Sequence, residues 1–186
     1  MMGKVMFRNS VITFGIIFLL SLSISAQERT WKTFSPPNGA WSILAPGTLT
    51  PDSEALKSKS KRGSYSYNDS NGFFAVIYAD HSKLNFFPWK KEYFTKQRDL
   101  VVKSNNATLI KDEEFTSGNI TGREVRLRMP DNRTFARESS LKPQHRIQRF
   151  RMFFKGNRFY TILAVLPEEQ ISLPEIDKYF SSFTFK

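Results

Sequence analysis

Runs of apolar residues between short turn signals predict that most of this chain forms β-strands. Residues 73–79 are apolar at nearly every position, which is typical of a strand covered on both faces. Residues 122–129 alternate between aliphatic and charged side chains, so this strand has one apolar face and one charged face. The other predicted strands are residues 41–45, 64–68, 108–116, 146–155 and 158–166.

Short turns between these runs predict antiparallel pairing. Gly156 and Asn157 separate two strand-like runs, and residues of this type favour the tight turn of a β-hairpin. Asn71 and Gly72 lie in the turn between two other runs and predict a second hairpin.

Two segments have helical periodicity instead. The first begins after Pro88, a residue that suits the first turn of a helix, and its larger side chains fall near one face: Trp89, Tyr93, Phe94, Gln97, Leu100 and Val101. The second is marked by Ser172 and Glu175, which have the spacing of a capping box. Apolar residues follow at helical spacing, and they predict a helix face turned to the core: Ile176, Tyr179, Phe180 and Phe183.

Strands that are apolar on both faces need cover on both faces. With two clear helices, the pattern predicts one helix on each side. The sequence therefore predicts an α+β fold, an antiparallel sheet of about six to eight strands sandwiched between helices in an α/β/α arrangement.

The first 26 residues have the pattern of a secretory signal peptide. Lys4 and Arg8 precede an apolar run of about a dozen residues, and small residues follow as far as Ala26. The run is shorter than the roughly 20 residues of a membrane-spanning helix, and an uncleaved anchor is the alternative. We predict cleavage after Ala26, a single domain at residues 27–186, and a periplasmic or secreted protein of bacterial type.

Both ends of the predicted domain carry a recurring pattern. Residues 31–46 form a short strand ending in Phe-Ser-Pro, a glycine turn and an aromatic-led strand ending in proline. Residues 158–163 and 176–183 close the domain with an aromatic strand and an aromatic helix. Together these segments resemble the PsbP-like family, named for an extrinsic subunit of photosystem II. Helix-grip domains that bind steroids or lipids have a similar order of elements.

This resemblance implies an antiparallel sheet between helices. Known PsbP-like proteins mostly act as binding or assembly factors, and a eukaryotic relative binds the small GTPase Ran. The resemblance therefore implies a binding role, and it carries no functional residue over to this chain.

Composition restricts the chemistry that the chain can perform. The sequence has no cysteine and two histidines, which excludes thiolate catalysis and leaves little room for a histidine-based metal site. It also lacks a Gly-x-Ser-x-Gly elbow, a His-Glu-x-x-His motif and a glycine-rich phosphate loop. We predict a non-enzymatic protein with no cofactor, no metal site and no catalytic residue.

Two weaker candidate sites remain. Asp80 and His81 end an apolar strand, and a hydrolase would need a serine or an acid beside His81 or His145. The acidic triplet at residues 112–114 is a candidate cation site, but a solvated strand face paired with nearby cations is the favoured interpretation.

Arginine gives the strongest functional signal. The chain has a formal net charge of +11, and eight arginines lie between residues 123 and 151. Arg126 and Arg128 share one strand face, as do Arg149 and Arg151, so pairing of the two strands would gather four guanidinium groups. Guanidinium groups match phosphate and carboxylate geometry.

We therefore predict an exported binding or assembly module that engages an anionic partner through Arg126, Arg128, Arg149 and Arg151. The partner would be an envelope protein, a polyanion or a membrane surface, and export argues against nucleic acid. One alternative is a solvated face with cross-strand ion pairs. Others are a lipid or small-ligand carrier of helix-grip type and, as the weakest, a hydrolase.

Overall fold

The structure is a computed structural model that describes residues 29–57, 61–81, 89–130 and 145–186. The predicted signal peptide lies outside these residues, as does the side chain of Trp89. The described part contains the strands β1 (Lys32–Phe34), β2 (Trp41–Ala45), β3 (Thr50–Pro51), β4 (Arg62–Asn68), β5 (Phe73–Asp80), β6 (Thr108–Ser117), β7 (Ile120–Arg128), β8 (Arg146–Lys155), β9 (Arg158–Pro167) and β10 (Thr184–Phe185). Its two α-helices are α1 (Trp89–Ser104) and α2 (Pro174–Ser181).

Seven strands form one antiparallel sheet in the order β3-β4-β5-β9-β8-β7-β6. This confirms the predicted antiparallel sheet and its strand number. The hairpin at Gly156 and Asn157 is also confirmed, because Lys155 pairs with Arg158 across it. Gly156 has a φ of 57°, a left-handed conformation that glycine adopts at little cost.

Helix α1 packs against one face of the large sheet. Its Phe94 is buried in a cluster with Val125 and Leu127 of β7 and with Phe150 and Met152 of β8. The alternation of β7 predicts this apolar face correctly. The helical periodicity of α1 places Leu100 near the packed face of that helix. This prediction is wrong, because 59% of Leu100 is exposed.

Helix α2 and a small second sheet cover the opposite face of the large sheet. Phe153 of β8 points away from its neighbour Met152, because successive strand residues face opposite sides of a sheet. It lies in a second core with Tyr179 and Phe180 of α2 and with Trp41 of β2. Strands β1, β2 and β10 form a separate three-stranded sheet, which the sequence pattern does not predict. The helix sandwich is thus confirmed only in part, since α2 shares its side with this small sheet.

The start of α2 differs from the prediction. Leu173 occupies the N-cap position, no side chain caps the helix, and Pro174 follows in the first turn. The predicted capping box between Ser172 and Glu175 is wrong, because the extended backbone at Leu173 starts the helix one residue after the serine. Among the described residues, no helix has the length and apolar character needed to cross a membrane.

Tyr179 anchors α2 to the centre of the large sheet. Its hydroxyl donates to the carbonyl oxygens of Ala75 at 3.0 Å and Leu163 at 3.3 Å. Burial raises the pKa of Tyr179 far above its ordinary value, so the hydroxyl stays neutral and remains a donor.

We expect Tyr179→Phe to lower the free energy of unfolding by about 1 kcal/mol, the net contribution of one buried hydrogen bond. Urea unfolding measures this change, with a shifted midpoint and an unchanged slope. An unfolding curve identical to that of the wild type would contradict the anchoring role.

Candidate anion-binding site

Pairing of β7 with β8 brings three of the four predicted arginines together. Arg126 lies directly opposite Arg149, and Arg151 lies opposite Glu124. Arg128 lies two residues further along β7, where its cross-strand neighbour is Ile147, so it does not join the other three arginines. Its side chain instead pairs with Glu168, with Nη2 and Oε1 separated by 2.5 Å.

The three gathered arginines surround the carboxylate of Glu124, which is only 3% exposed. Arg149 donates from Nε to Oε1 at 2.9 Å, and Arg151 donates from Nε to Oε2 at 2.6 Å. Arg126 makes a longer contact of 3.3 Å from Nη2 to Oε1. Glu124 therefore organises the cluster, and Arg149 and Arg151 provide most of its hydrogen bonds.

Helix α2 packs over the arginine cluster and contacts two of its members. Arg149 donates from Nη1 to Asp177 at 2.6 Å and stacks on Phe180, with 4.5 Å from Cζ to the ring centroid. Arg151 donates to the Phe180 carbonyl oxygen at 3.0 Å and lies over the ring of Phe115 at 4.7 Å. Ion pairs and cation–π contacts thus fix both guanidinium groups in place.

Exposure separates the four arginines into two pairs. The side chain of Arg149 is 4% exposed and that of Arg151 is 15% exposed, so both belong mainly to the interior. The side chains of Arg126 and Arg128 are 25% and 46% exposed. Arg126 also has a buried Nε that finds no hydrogen-bond partner among the described residues.

Burial alone would raise the pKa of Glu124, but hydrogen bonds and charge from Arg149 and then Arg151 outweigh burial and lower it. The unfolded chain therefore binds a proton at this site more readily than the folded protein does. The stabilisation is fully present above the ordinary glutamate pKa of 4.5 and disappears as the pH falls through the lower folded value.

We expect the difference in unfolding free energy between the wild type and Glu124→Gln to stay constant at neutral pH and to shrink below about pH 4.5. Comparing the variant with the wild type isolates Glu124 from Asp69 and Asp80, whose pKa values are also lowered. Urea unfolding at a series of pH values provides the measurement. A difference that widens on acidification would contradict the ion pairs.

The histidine candidates from the sequence, and the aspartate beside one of them, contact other residues of this chain. The Nε2 atom of His81 lies 2.9 Å from the hydroxyl of Tyr93. Asp80 accepts two hydrogen bonds from Arg158, and that pairing lowers the pKa of Asp80. The carboxylate beside His81 in sequence is thus held by an arginine. His145 contributes its backbone carbonyl to Glu168.

The acidic triplet of β6 is paired with nearby cations, which agrees with the interpretation that the sequence favours. Asp112 binds Arg98 and Arg123, while Glu113 pairs with Lys111 on the same strand. Within the described ranges, no three side chains of metal-binding type come together.

The sequence pattern does not identify the roles of two acidic members of the cluster, Glu124 and Asp177. The alternation of β7 places Glu124 on the arginine face, but sequence alone does not show that this face is buried. Asp177 lies beside the apolar stripe of α2, and nothing local in the sequence links it to a strand 28 residues away.

Comparisons with known proteins agree with this architecture. No protein-family model and no curated protein matches the sequence. The fold is similar to the solution structure of cyanobacterial PsbP (CyanoP) from Synechocystis sp. PCC 6803, with 14% identity, a TM-score of 0.55, and 85% of this chain and 94% of that chain covered. The Ran-binding protein Mog1p of Saccharomyces cerevisiae has 13% identity and a TM-score of 0.49, with 84% of this chain and 96% of that chain covered. The comparison with CyanoP confirms the PsbP-like fold.

Proposed function

We propose that this chain is an exported, non-enzymatic binding or assembly module that engages an anionic envelope partner through Arg126 and Arg128. The observation that carries this proposal is the arrangement of the arginines around Glu124. Arg149 and Arg151 donate the short hydrogen bonds to the carboxylate, and among the described residues Arg126 at the rim has a single long contact.

Counted over the residues that the structure describes, the charges of the cluster leave one cation in excess. Arg126, Arg149 and Arg151 face the carboxylates of Glu124 and Asp177, so three positive charges meet two negative ones. The excess falls on Arg126, the least buried of the three. A carboxylate or phosphate from a partner would complete the pairing of its guanidinium group.

Arg128 lies on the same face of β7 as Arg126, two residues further along the strand. Its ion pair with Glu168 is about half exposed on both sides. Exposed pairs of this kind contribute at most about 1 kcal/mol, so a partner anion can replace Glu168 at little cost. Arg126 and Arg128 thus form the contact surface of the proposal, while Arg149 and Arg151 position Arg126 through Glu124.

We expect Arg126→Ala/Arg128→Ala to weaken binding of the 27–186 protein to a decaglutamate peptide at least tenfold, which corresponds to about 1.4 kcal/mol. Each substitution removes a guanidinium group that would face a carboxylate of the peptide. Titration calorimetry at low salt measures the affinity, and high salt should weaken wild-type binding because the contacts are exposed. The wild type and the double variant are then used as baits to capture binding partners from envelope extract.

The matched control is Lys96→Ala/Lys103→Ala on α1. Both lysines are exposed and the variant loses the same net charge, so it reports the effect of overall charge alone. Arg149 and Arg151 are left intact, because their removal would leave Glu124 buried without compensation. Equal weakening in the two double variants would overturn the proposed surface.

A further inference from the structure

Strand β6 forms one edge of the seven-stranded sheet and is long for an edge strand. It runs for ten residues from Thr108 to Ser117 and pairs with β7, with no strand of the described part on its outer side. None of its residues is buried. The backbone donors and acceptors of such an edge are a template for another strand.

One end of β6 is apolar and carries a bulge. Leu109 and Ile110 are each at least 42% exposed, as is Leu100 on α1. The register with β7 shifts between Leu109 and Lys111, which makes Ile110 the extra residue. Bulges weaken edge pairing, but this one lies near the start of the strand. The register is regular from Lys111 to Ser117, which leaves seven residues for pairing.

The middle of β6 carries three consecutive carboxylates, Asp112, Glu113 and Glu114. Cations of this chain pair with all three, but the side chains of Glu113 and Glu114 are 45% and 57% exposed, against 11% for Asp112. Exposed ion pairs contribute little, so a cation of a partner can replace the present ones at Glu113 and Glu114. A second copy that paired antiparallel about this triplet would place carboxylates opposite carboxylates, which is unfavourable for cross-strand neighbours. Lysine or arginine on an incoming strand would instead face opposite charge.

We propose that β6 accepts an extended segment of a partner protein as an eighth strand of the sheet. That segment carries lysine or arginine opposite Glu113 and Glu114, and apolar side chains opposite Leu109 and Ile110. Main-chain hydrogen bonds provide the affinity, and the charges on β6 select the sequence. This surface does not include Arg126 or Arg128, so the strand-pairing proposal is tested independently of the anion-binding proposal.

The probe is the nine-residue peptide Thr-Val-Lys-Lys-Thr-Val-Val-Val-Thr, which in antiparallel pairing places lysine opposite Glu113 and Glu114 and valine opposite Leu109 and Ile110. We expect it to bind the 27–186 protein and to slow amide hydrogen exchange in β6, while the same peptide with glutamate in place of lysine binds at least tenfold more weakly. Two further peptides carry N-methyl groups, one on the amides of its even-numbered residues and one on the amides of its odd-numbered residues. Alternate amides of an extended strand point to opposite edges, so one methylated peptide should lose binding and the other should retain it.

The protein variant is Glu113→Lys/Glu114→Lys, with Glu169→Lys/Glu175→Lys as a control of equal charge change at exposed positions. We expect the first to weaken lysine-peptide binding at least tenfold and the second to change it less than twofold. Unchanged binding after both N-methyl modifications would overturn the proposal, because it would exclude main-chain pairing. Exchange protection outside β6, or equal effects of the two protein variants, would also overturn it.

Discussion

Glu124→Gln lowers the free energy of unfolding by about 3–5 kcal/mol, the range measured when one partner of a buried ion pair is removed. The substitution keeps the shape of the side chain and deletes its charge. Arg149, whose side chain is 4% exposed, then faces Asp177 as its one remaining carboxylate in this cluster. The amide keeps one acceptor oxygen, so one of the two arginines loses its hydrogen bond to this side chain, while Arg151 keeps the Phe180 carbonyl oxygen.

Urea unfolding of the wild type and the variant measures this effect. The midpoint should fall while the slope stays the same, since the surface exposed on unfolding does not change. Glu113→Gln is the matched control, because Glu113 makes its ion pair on the exposed edge strand. That control should stay within about 0.5 kcal/mol of the wild type. A comparable loss in both variants would mean that Glu124 is not a buried organising charge.

Six of the seven strands of the large sheet are predictable from sequence because their side-chain periodicity is local, and the exception is the two-residue strand β3. The boundaries of β8 follow from the turn glycine that ends it, and the apolar run of β5 follows from burial on both faces. The small sheet is not predictable in this way. Its strands β1 and β10 are three and two residues long, too short for a periodic pattern, and Thr184 of β10 pairs with Ser42 of β2, 142 residues earlier in the sequence.

The arginines of the candidate site are predictable as a group, but their roles are not. Alternation places Arg126 and Glu124 on one face of β7, and cross-strand pairing brings Arg149 to the same place. Which guanidinium groups are buried depends on where α2 lies, and that position is set by contacts such as Tyr179 with Ala75, 104 residues apart in sequence. A charged strand face therefore looks like a solvent face until the covering helix is placed.

The close approach of β7 to β8 leaves no room for a side chain at Gly122. Its replacement gives the second large expected effect. A Cβ atom at this position would lie 2.0 Å from the carbonyl oxygen of Met152 and 2.9 Å from the side chains of Phe115 and Phe153. The nearest of these atoms belongs to the backbone of a central strand, so a rotamer change cannot remove the clash. The β7–β8 ladder itself would have to open.

We expect Gly122→Ala to lower the free energy of unfolding by about 3 kcal/mol, the upper end of the usual range for overpacking. Phe115 would have to move as well, and Arg151 stacks on its ring, so the variant should also shift the NMR signals of the Arg151 side chain. Thr121→Ala, at the exposed neighbouring position, should change the free energy by less than about 0.5 kcal/mol. If Gly122→Ala unfolds like the wild type, β7 and β8 lie further apart than described, and the contacts of Glu124 with Arg149 and Arg151 lose their basis.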